Sequence, residues 1–415
     1  MSFFSGILTS LFERAPMLRG SMSDGDKPIE VLCRDLLSSR GEVSGMSLAR
    51  LVLDRYADFD EHKKLALFTF LANEMDVSCG DVASALQTYE SEPTAANYAA
   101  LTKMVEPARL QVIRRLNQTQ DATTHLVAMR HDLLRMLGKH PDLAKLDVDF
   151  KNLFTTWFNR GFLVLRPINW GSPAHILEKI ISYESVHAIQ SWDDLRRRLQ
   201  PDDRRCFAFF HPAIPDEPLI FVEVALTCGT PSSIQTILSE THRTLAAEDA
   251  DTATFYSISN CQTGLAGISF GNSLIKTVVQ HLLRDLPQIK TFVTLSPIPG
   301  FVKWLRETNQ FDESLDPQTL LPLAAHYLLE VKQRIGQPRD PVARFHLNNG
   351  ALVEAVHADA DLSENGLAQS CGIMVNYRYD LNKISTNHEA YANQQSVVAS
   401  RAVKALADQV QLFHA

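Results

Sequence analysis

The spacing of apolar residues changes at Gly161, and that change constrains the fold more than any other feature of the chain. Before it, apolar residues recur at helical intervals. Leu48, Leu51, Val52 and Tyr56 share one helix face. Leu126, Met129, Leu133 and Leu137 share another, with Gly138 as its stop. Asp60 stands where an N-cap opens a helix over Glu61–Asn73, whose Leu65, Phe68 and Leu71 face a core. Pro93 and Pro107 fall near further helix starts, where a missing N–H costs little. After Gly161 come apolar runs of strand length: Phe162–Ile168, Cys206–Phe210, Leu219–Leu226, Thr254–Ile258, Thr291–Leu295 and Gly372–Tyr379. Helical patterns separate several of them, at Ile176–Tyr183, Trp192–Leu199, Ser233–Ser239 and Ser273–Leu286. The pattern predicts an α+β chain of two domains. Residues 1–160 form an all-α helical bundle used for packing or assembly, behind a loose arm over 1–27. Residues 161–415 form a mixed α/β catalytic domain. No repeat of fixed period points to a solenoid.

Composition narrows the function. A chain of 415 residues that is 45% hydrophobic has material for a core in each domain. The net charge of −8 argues against a broad nucleic-acid surface and leaves room for a local basic pocket. Six scattered cysteines with no CxxC pair imply reduced thiols, a cytoplasmic setting and no zinc site. No HExxH occurs, so no metal is expected. No apolar run approaches the ~18 residues of a membrane span. The start lacks a basic leader and the end lacks Ser-Lys-Leu, so neither a secretory nor a peroxisomal address is expected.

Three places hold candidate chemistry. The segment Ser259–Asn272 lies between a strand run and a helix pattern through Leu274, Ile275, Val278, Val279 and Leu282. That order aims main-chain N–H groups at a phosphate. Gly264, Gly267 and Gly271 let the main chain approach a ligand, although glycines in such a turn are more often structural. Ser296 ends the Thr291–Leu295 run, and Pro297 holds it extended. Pro299 and Gly300 then turn the chain toward a helix at Phe301–Leu305. Strand ends of open α/β sheets carry active sites, but a Ser-Pro pair also serves its own turn. No G-x-S-x-G elbow is present. The third place is Arg344–Gly350, with His346 between an apolar run and a turn. His357 is equally placed on spacing alone. Strand alternation puts Asn376 and Arg378 on one face, Tyr377 and Tyr379 on the other.

The segments Cys261–Gly267, Thr291–Phe301, Arg344–Gly350 and Ser370–Tyr379 resemble malonyl-CoA decarboxylases, and the resemblance covers nearly everything from about Phe162 onward. It implies a catalytic domain similar to the GNAT acetyltransferase fold. It implies Ser296 as proton acceptor and His346 as proton donor. Substrate and coenzyme A would be bound by Gly264, Leu265, Ala266, Gly267, Ile268, Ser269, Phe270, Gly271 and Asn272. Asn376 and Tyr377 would orient the substrate. The chain departs from the GNAT loop pattern at Cys261, where Gln or Arg is usual, and from many decarboxylases at Ser269, where an acid is common. The implied reaction takes malonyl-CoA to acetyl-CoA and CO2 with no cofactor, since coenzyme A is part of the substrate. The implied assembly is a homotetramer. Two other readings share the loop: an acyltransferase with an amine acceptor, and a non-catalytic acyl-CoA sensor. Lys276, Lys290, Lys303 and Arg378 are equal candidates for the coenzyme 3′-phosphate.

Overall fold

The computed structural model describes residues 26–38, 41–268, 274–312, 316–333 and 336–412. It divides into two compact units. One comprises the chain to Trp157 together with Thr263–Ile268; the other comprises Phe158–Gln262 and Ser269–Ala415. The expected order, a helical region followed by a mixed α/β region, is the observed one. Within it, Thr263–Ile268 belongs to the helical unit, which spacing alone did not suggest.

The helical unit runs α1 (Ile29–Leu37), α2 (Glu42–Ala57), α3 (Glu61–Asn73), α4 (Cys79–Ser91), α5 (Ala95–Met104), α6 (Ala108–Leu116), α7 (Ala122–Met136) and α8 (Ala144–Trp157). Asp60 caps α3 by accepting the Lys63 N–H at 2.8 Å. Leu48, Val52, Tyr56, Phe68, Leu126, Met129, Leu133, Phe150 and Phe154 fill the core. Helix α7 ends one residue before Leu137, which is half-buried. Arg109, itself buried, ties α6 to Asp149 of α8 and to Asp76. Helices α4 and α5 differ from the rest: neither buries a residue.

The second unit is built on one sheet. Its strands are β1 (Val164–Ile168), β2 (Arg204–His211), β3 (Ile214–Thr227), β4 (Thr252–Asn260), β5 (Thr291–Thr294), β6 (Ser296–Pro297), β7 (Leu352–His357) and β8 (Met374–Arg378). They are ordered β1-β2-β3-β4-β5-β8-β6, with β7 also on β8. Only the β4–β5 pairing is parallel among these strands. Strand β7 carries no clean alternation because its register shifts between Val353 and Ala355, and such a bulge hides a strand from period-two reading. The helices are α9 (Ala174–Tyr183), α10 (Trp192–Leu199), α11 (Ile234–Leu238), α12 (Leu274–Asp285), α13 (Phe301–Glu307), α14 (Leu321–Leu329), α15 (Pro341–Asn348), α16 (Glu364–Ser370), α17 (Ile384–Gln394) and α18 (Arg401–Leu412). Ile176, Ile180 and Leu195 of α9 and α10 pack on Ala208, Phe210 and Phe221 of the sheet. A second cluster joins Ala225, Ile234, Tyr256, Leu295 and Met374. No helix of the described residues is long and apolar enough to cross a membrane.

Candidate active site

Strands β5 and β6 place two hydroxyls on one side of the chain. Thr294 and Ser296 are two residues apart, so strand alternation turns them the same way. Ser296 Oγ donates to Thr294 Oγ1 at 2.8 Å. Thr294 Oγ1 also accepts the Tyr377 N–H at 3.1 Å, which ties this strand end to β8. Pro297 keeps Ser296 extended, and both pair with β8 through Val375 and Met374.

Helix α15 brings the histidine. Asp340 is its N-cap, accepting the Ala343 N–H at 2.8 Å, and Pro341 follows at the first helical position. The last turn presents His346 Nε2 at 3.3 Å from Ser296 Oγ. The other ring nitrogen, Nδ1, lies 2.7 Å from the Tyr379 hydroxyl. The ring stacks on Tyr377 with centroids 4.5 Å apart and planes at 21°. One arrangement of protons satisfies the whole chain. The Ser296 O–H donates to Thr294 Oγ1, so Ser296 Oγ accepts from Nε2–H. Nδ1 is then bare and accepts from Tyr379 O–H. This fixes the tautomer of His346 with no carboxylate of the described residues bonded to the ring.

Burial sets the charge state. His346 is buried, and desolvation pushes its pKa down to about 3, so the resting ring is neutral. The Tyr379 phenol is pushed well up by the same cause and stays protonated. Burial raises the Asp340 carboxyl to about 6, against the opposing pull of main-chain N–H groups. Ser296 and His346 stand at the wall of a cleft of about 260 Å³. The rest of its lining is mostly apolar, including Phe255, Tyr256, Ile258, Val342 and Phe345. An apolar lining of this kind lowers the local dielectric and strengthens any charge interaction beside it.

The other expected residues are placed as follows. Asn376 is wholly buried, and its amide nitrogen donates to the carbonyls of Thr294 at 2.7 Å and Pro231 at 3.3 Å. Its amide oxygen meets His357 Nε2, which gives His357 a partner away from the cleft lining. Tyr377 is buried beneath the His346 ring. Neither Asn376 nor Tyr377 is among the residues that line the cleft. Of the loop, Gly264, Leu265 and Ile268 are buried, while Ala266 and Gly267 are exposed. Gly267 has φ +73°, the left-handed region that favours glycine. Ser269, Phe270, Gly271 and Asn272 lie outside the described residues. Sequence reasoning passed over Thr294 and Asp340 and gave Tyr379 no role at the site. Alternation from Ser296 signals Thr294, and the Asp-Pro pair signals the start of α15.

Comparisons with known proteins agree over most of the chain. The family model described as malonyl-CoA decarboxylase C-terminal domain matches residues 161–318 and 307–413. The one described as malonyl-CoA decarboxylase N-terminal domain matches residues 76–158. The mitochondrial malonyl-CoA decarboxylase of Mus musculus is 32% identical over 437 aligned positions, covering 92% of this chain and 87% of that protein. The crystal structure of malonyl-CoA decarboxylase from Rhodopseudomonas palustris is 48% identical, with a TM-score of 0.86, covering 91% of this chain and 98% of that one. The enzyme from Agrobacterium vitis gives a TM-score of 0.85 at 48% identity, covering 91% and 99%. This chain belongs to the malonyl-CoA decarboxylase family, a family of carboxy-lyases.

Proposed function

We propose that the chain converts malonyl-CoA to acetyl-CoA and CO2 at the Ser296–His346 pair. The observation that carries this reading is the hydrogen-bonded chain Thr294–Ser296–His346–Tyr379 at the wall of an apolar cleft. When the bond to the carboxylate breaks, its electron pair moves through the α-carbon into the thioester carbonyl, giving an enolate. That electron sink is the substrate's own, so no cofactor and no metal are part of the proposal. Ser296 hydrogen-bonds the substrate at its carboxylate or thioester oxygen. A carboxylate arriving beside the neutral His346 ring favours the protonated ring. The neutral ring takes up a proton at Nδ1 as substrate binds, the Tyr379 hydroxyl turning from donor to acceptor. The imidazolium so formed delivers its Nε2 proton to the α-carbon, leaving a neutral ring protonated at Nδ1. The apolar lining disfavours the compact charge of the carboxylate more than the same charge dispersed over the forming enolate, which favours the forward step.

The purified protein, given malonyl-CoA alone, is expected to release equal amounts of acetyl-CoA and CO2. Activity lost to a chelator and restored by a metal ion would overturn the cofactor-free part. The coenzyme's phosphates are assigned to the loop Gly264–Ile268 and its continuation Ser269–Asn272. Gly267→Val, which puts a branched side chain at φ +73°, is expected to weaken binding of free coenzyme A in a folded protein, measured by calorimetry.

The assembly we propose is a cytoplasmic homotetramer, a dimer of dimers. Helices α4 and α5 support an assembly role for the helical unit: they bury nothing and leave Leu86, Tyr98 and Met104 exposed. Light scattering at micromolar concentration checks it, and a monomeric full-length protein would remove that role.

A further inference from the structure

We propose that the helical unit builds the coenzyme-binding loop, with Arg130 as the positioning residue that fixes the loop's shape; this rests on reading Gly264–Ile268 as a phosphate-binding loop. Thr263–Ile268 forms one compact unit with α1–α8. Arg130, in the middle of α7, is 1% exposed. Its Nε donates to Asp147 of α8 at 2.8 Å. Its Nη1 donates to the carbonyl oxygens of Gly264 at 2.8 Å and Ala266 at 2.9 Å. A guanidinium held in this way is a rigid fork. Its two bonds to the loop are charge-assisted and stronger than neutral ones.

The consequence for an anion follows from polarity. Carbonyl oxygens repel a phosphate, and Arg130 claims the two that flank the turn. Ala266 and Ile268 spend their N–H groups on the carbonyls of Thr263 and Leu265. Gly267 is left exposed, with the bare main chain that a phosphate can approach. A Cβ at Gly267 would lie 3.6 Å from Lys151 Nζ, so an ammonium from α8 stands at that same point. Two further contacts lock the loop to α7. Thr263 Oγ1 bonds His131 Nδ1 at 2.6 Å, and a Cβ on Gly264 would run into the Val127 carbonyl. Val127, Arg130 and His131 therefore hold the loop, and Asp147 holds Arg130. None of these residues belongs to the catalytic pair. Their effect falls on binding of the nucleotide end of the substrate, separately from the carbon chemistry.

The test uses full-length Arg130→Met, Arg130→Lys and Lys151→Gln, with two substrates. Malonyl-CoA carries the nucleotide phosphates; malonyl-pantetheine carries the same thioester without them. Arg130→Met is expected to raise KM for malonyl-CoA, and Kd for free coenzyme A, by about 10- to 100-fold. Turnover of malonyl-pantetheine stays within about twofold of wild type. Arg130→Lys recovers part of the loss, and Lys151→Gln causes a smaller rise in KM. Equal damage with both substrates would overturn the inference, because Arg130 would then be a general packing residue. So would an unchanged coenzyme Kd in Arg130→Met where Gly267→Val weakens binding. If Gly267→Val also leaves Kd unchanged, the loop reading itself falls, and this inference with it. Should Arg130→Met fail to fold, amide hydrogen exchange at residues 264–268 in Arg130→Lys decides. Faster exchange there supports the inference, and unchanged exchange overturns it.

Discussion

Around Ser296 the chemistry resides in side chains that are buried and bonded to one another. In the proposed coenzyme loop, Thr263–Ile268, it would reside in main chain, held from behind by Arg130. The first site needs particular functional groups at particular distances: a hydroxyl 3.3 Å from Nε2 and a phenol 2.7 Å from Nδ1. The second needs the absence of side chains, at Gly264 where there is no room and at Gly267 where φ is +73°. Damage at the first should appear in turnover, and damage at the second in affinity. A variant that mixes the two signatures would break the distinction.

The largest effect is expected from His346→Asn. It keeps a hydrogen-bonding side chain and removes the proposed proton donor. General acid catalysis is worth about 10²–10⁴-fold, so turnover should fall by that order while the Kd of coenzyme A is unchanged. Single-turnover assays paired with calorimetry check it. Near-wild-type turnover would take His346 out of the mechanism. Next comes Tyr379→Phe, which removes only the hydroxyl on Nδ1. The ring keeps its stacking on Tyr377 but loses the bond that fixes its tautomer. A buried acceptor left unsatisfied costs about 1–3 kcal/mol, so kcat should drop by about 10- to 100-fold with KM little changed. A rise in KM alone would mean that Tyr379 serves binding instead.

How far these parts were legible in the sequence depends on how each residue announces itself. The Asp60 cap and the strand runs are local or periodic signals, and the folded chain repeats them. The change of spacing read at Gly161 lies a few residues beyond Trp157, where the compact units divide. Ser296 stood out because Pro297 constrains it from the next position. Helix α15 announced itself only by Asp340-Pro341, a two-residue cap signal ahead of a short helix. Strand β7 was hidden by its bulge. Arg130 gives no signal at all: one arginine in an amphipathic helix reads like any solvated cation until its partners are known. The pairing of Ser296 with His346, fifty residues apart in the chain, is likewise a tertiary fact. Spacing offered His357 as an equal alternative. What separates the two is that His357 is bonded to Asn376, while His346 meets the serine.

A smaller effect is expected from Gly264→Ala. The added Cβ would meet the Val127 carbonyl oxygen, which α7 cannot easily move. Overpacking of this kind costs about 1–3 kcal/mol, visible as a lower midpoint in urea unfolding. The same variant should bind coenzyme A more weakly, because the loop must lift from α7. Loss of stability with unchanged affinity would show that the loop's shape survives the displacement.

The smallest effect concerns acid, and it bears on the buried site alone. His346 binds its proton at about 3 in the folded protein and at 6.5 when free. Between those values the unfolded chain holds more protons, so this group's contribution to stability is present above 6.5 and is lost as pH falls toward 3. Asp340 has the opposite sign. Its carboxyl titrates at about 6 when folded and at 3.8 when free, so its contribution is present below 3.8 and lost as pH rises through 6. In the wild type the two slopes oppose each other between about 4 and 6. His346→Asn removes one slope and leaves the other. Urea midpoints at pH 7, 5.5 and 4 should therefore fall less steeply for the variant than for the wild type. Parallel profiles would mean that the ring is not held neutral by burial, and the proton-delivery step would then have to start from a charged histidine already present before substrate binds.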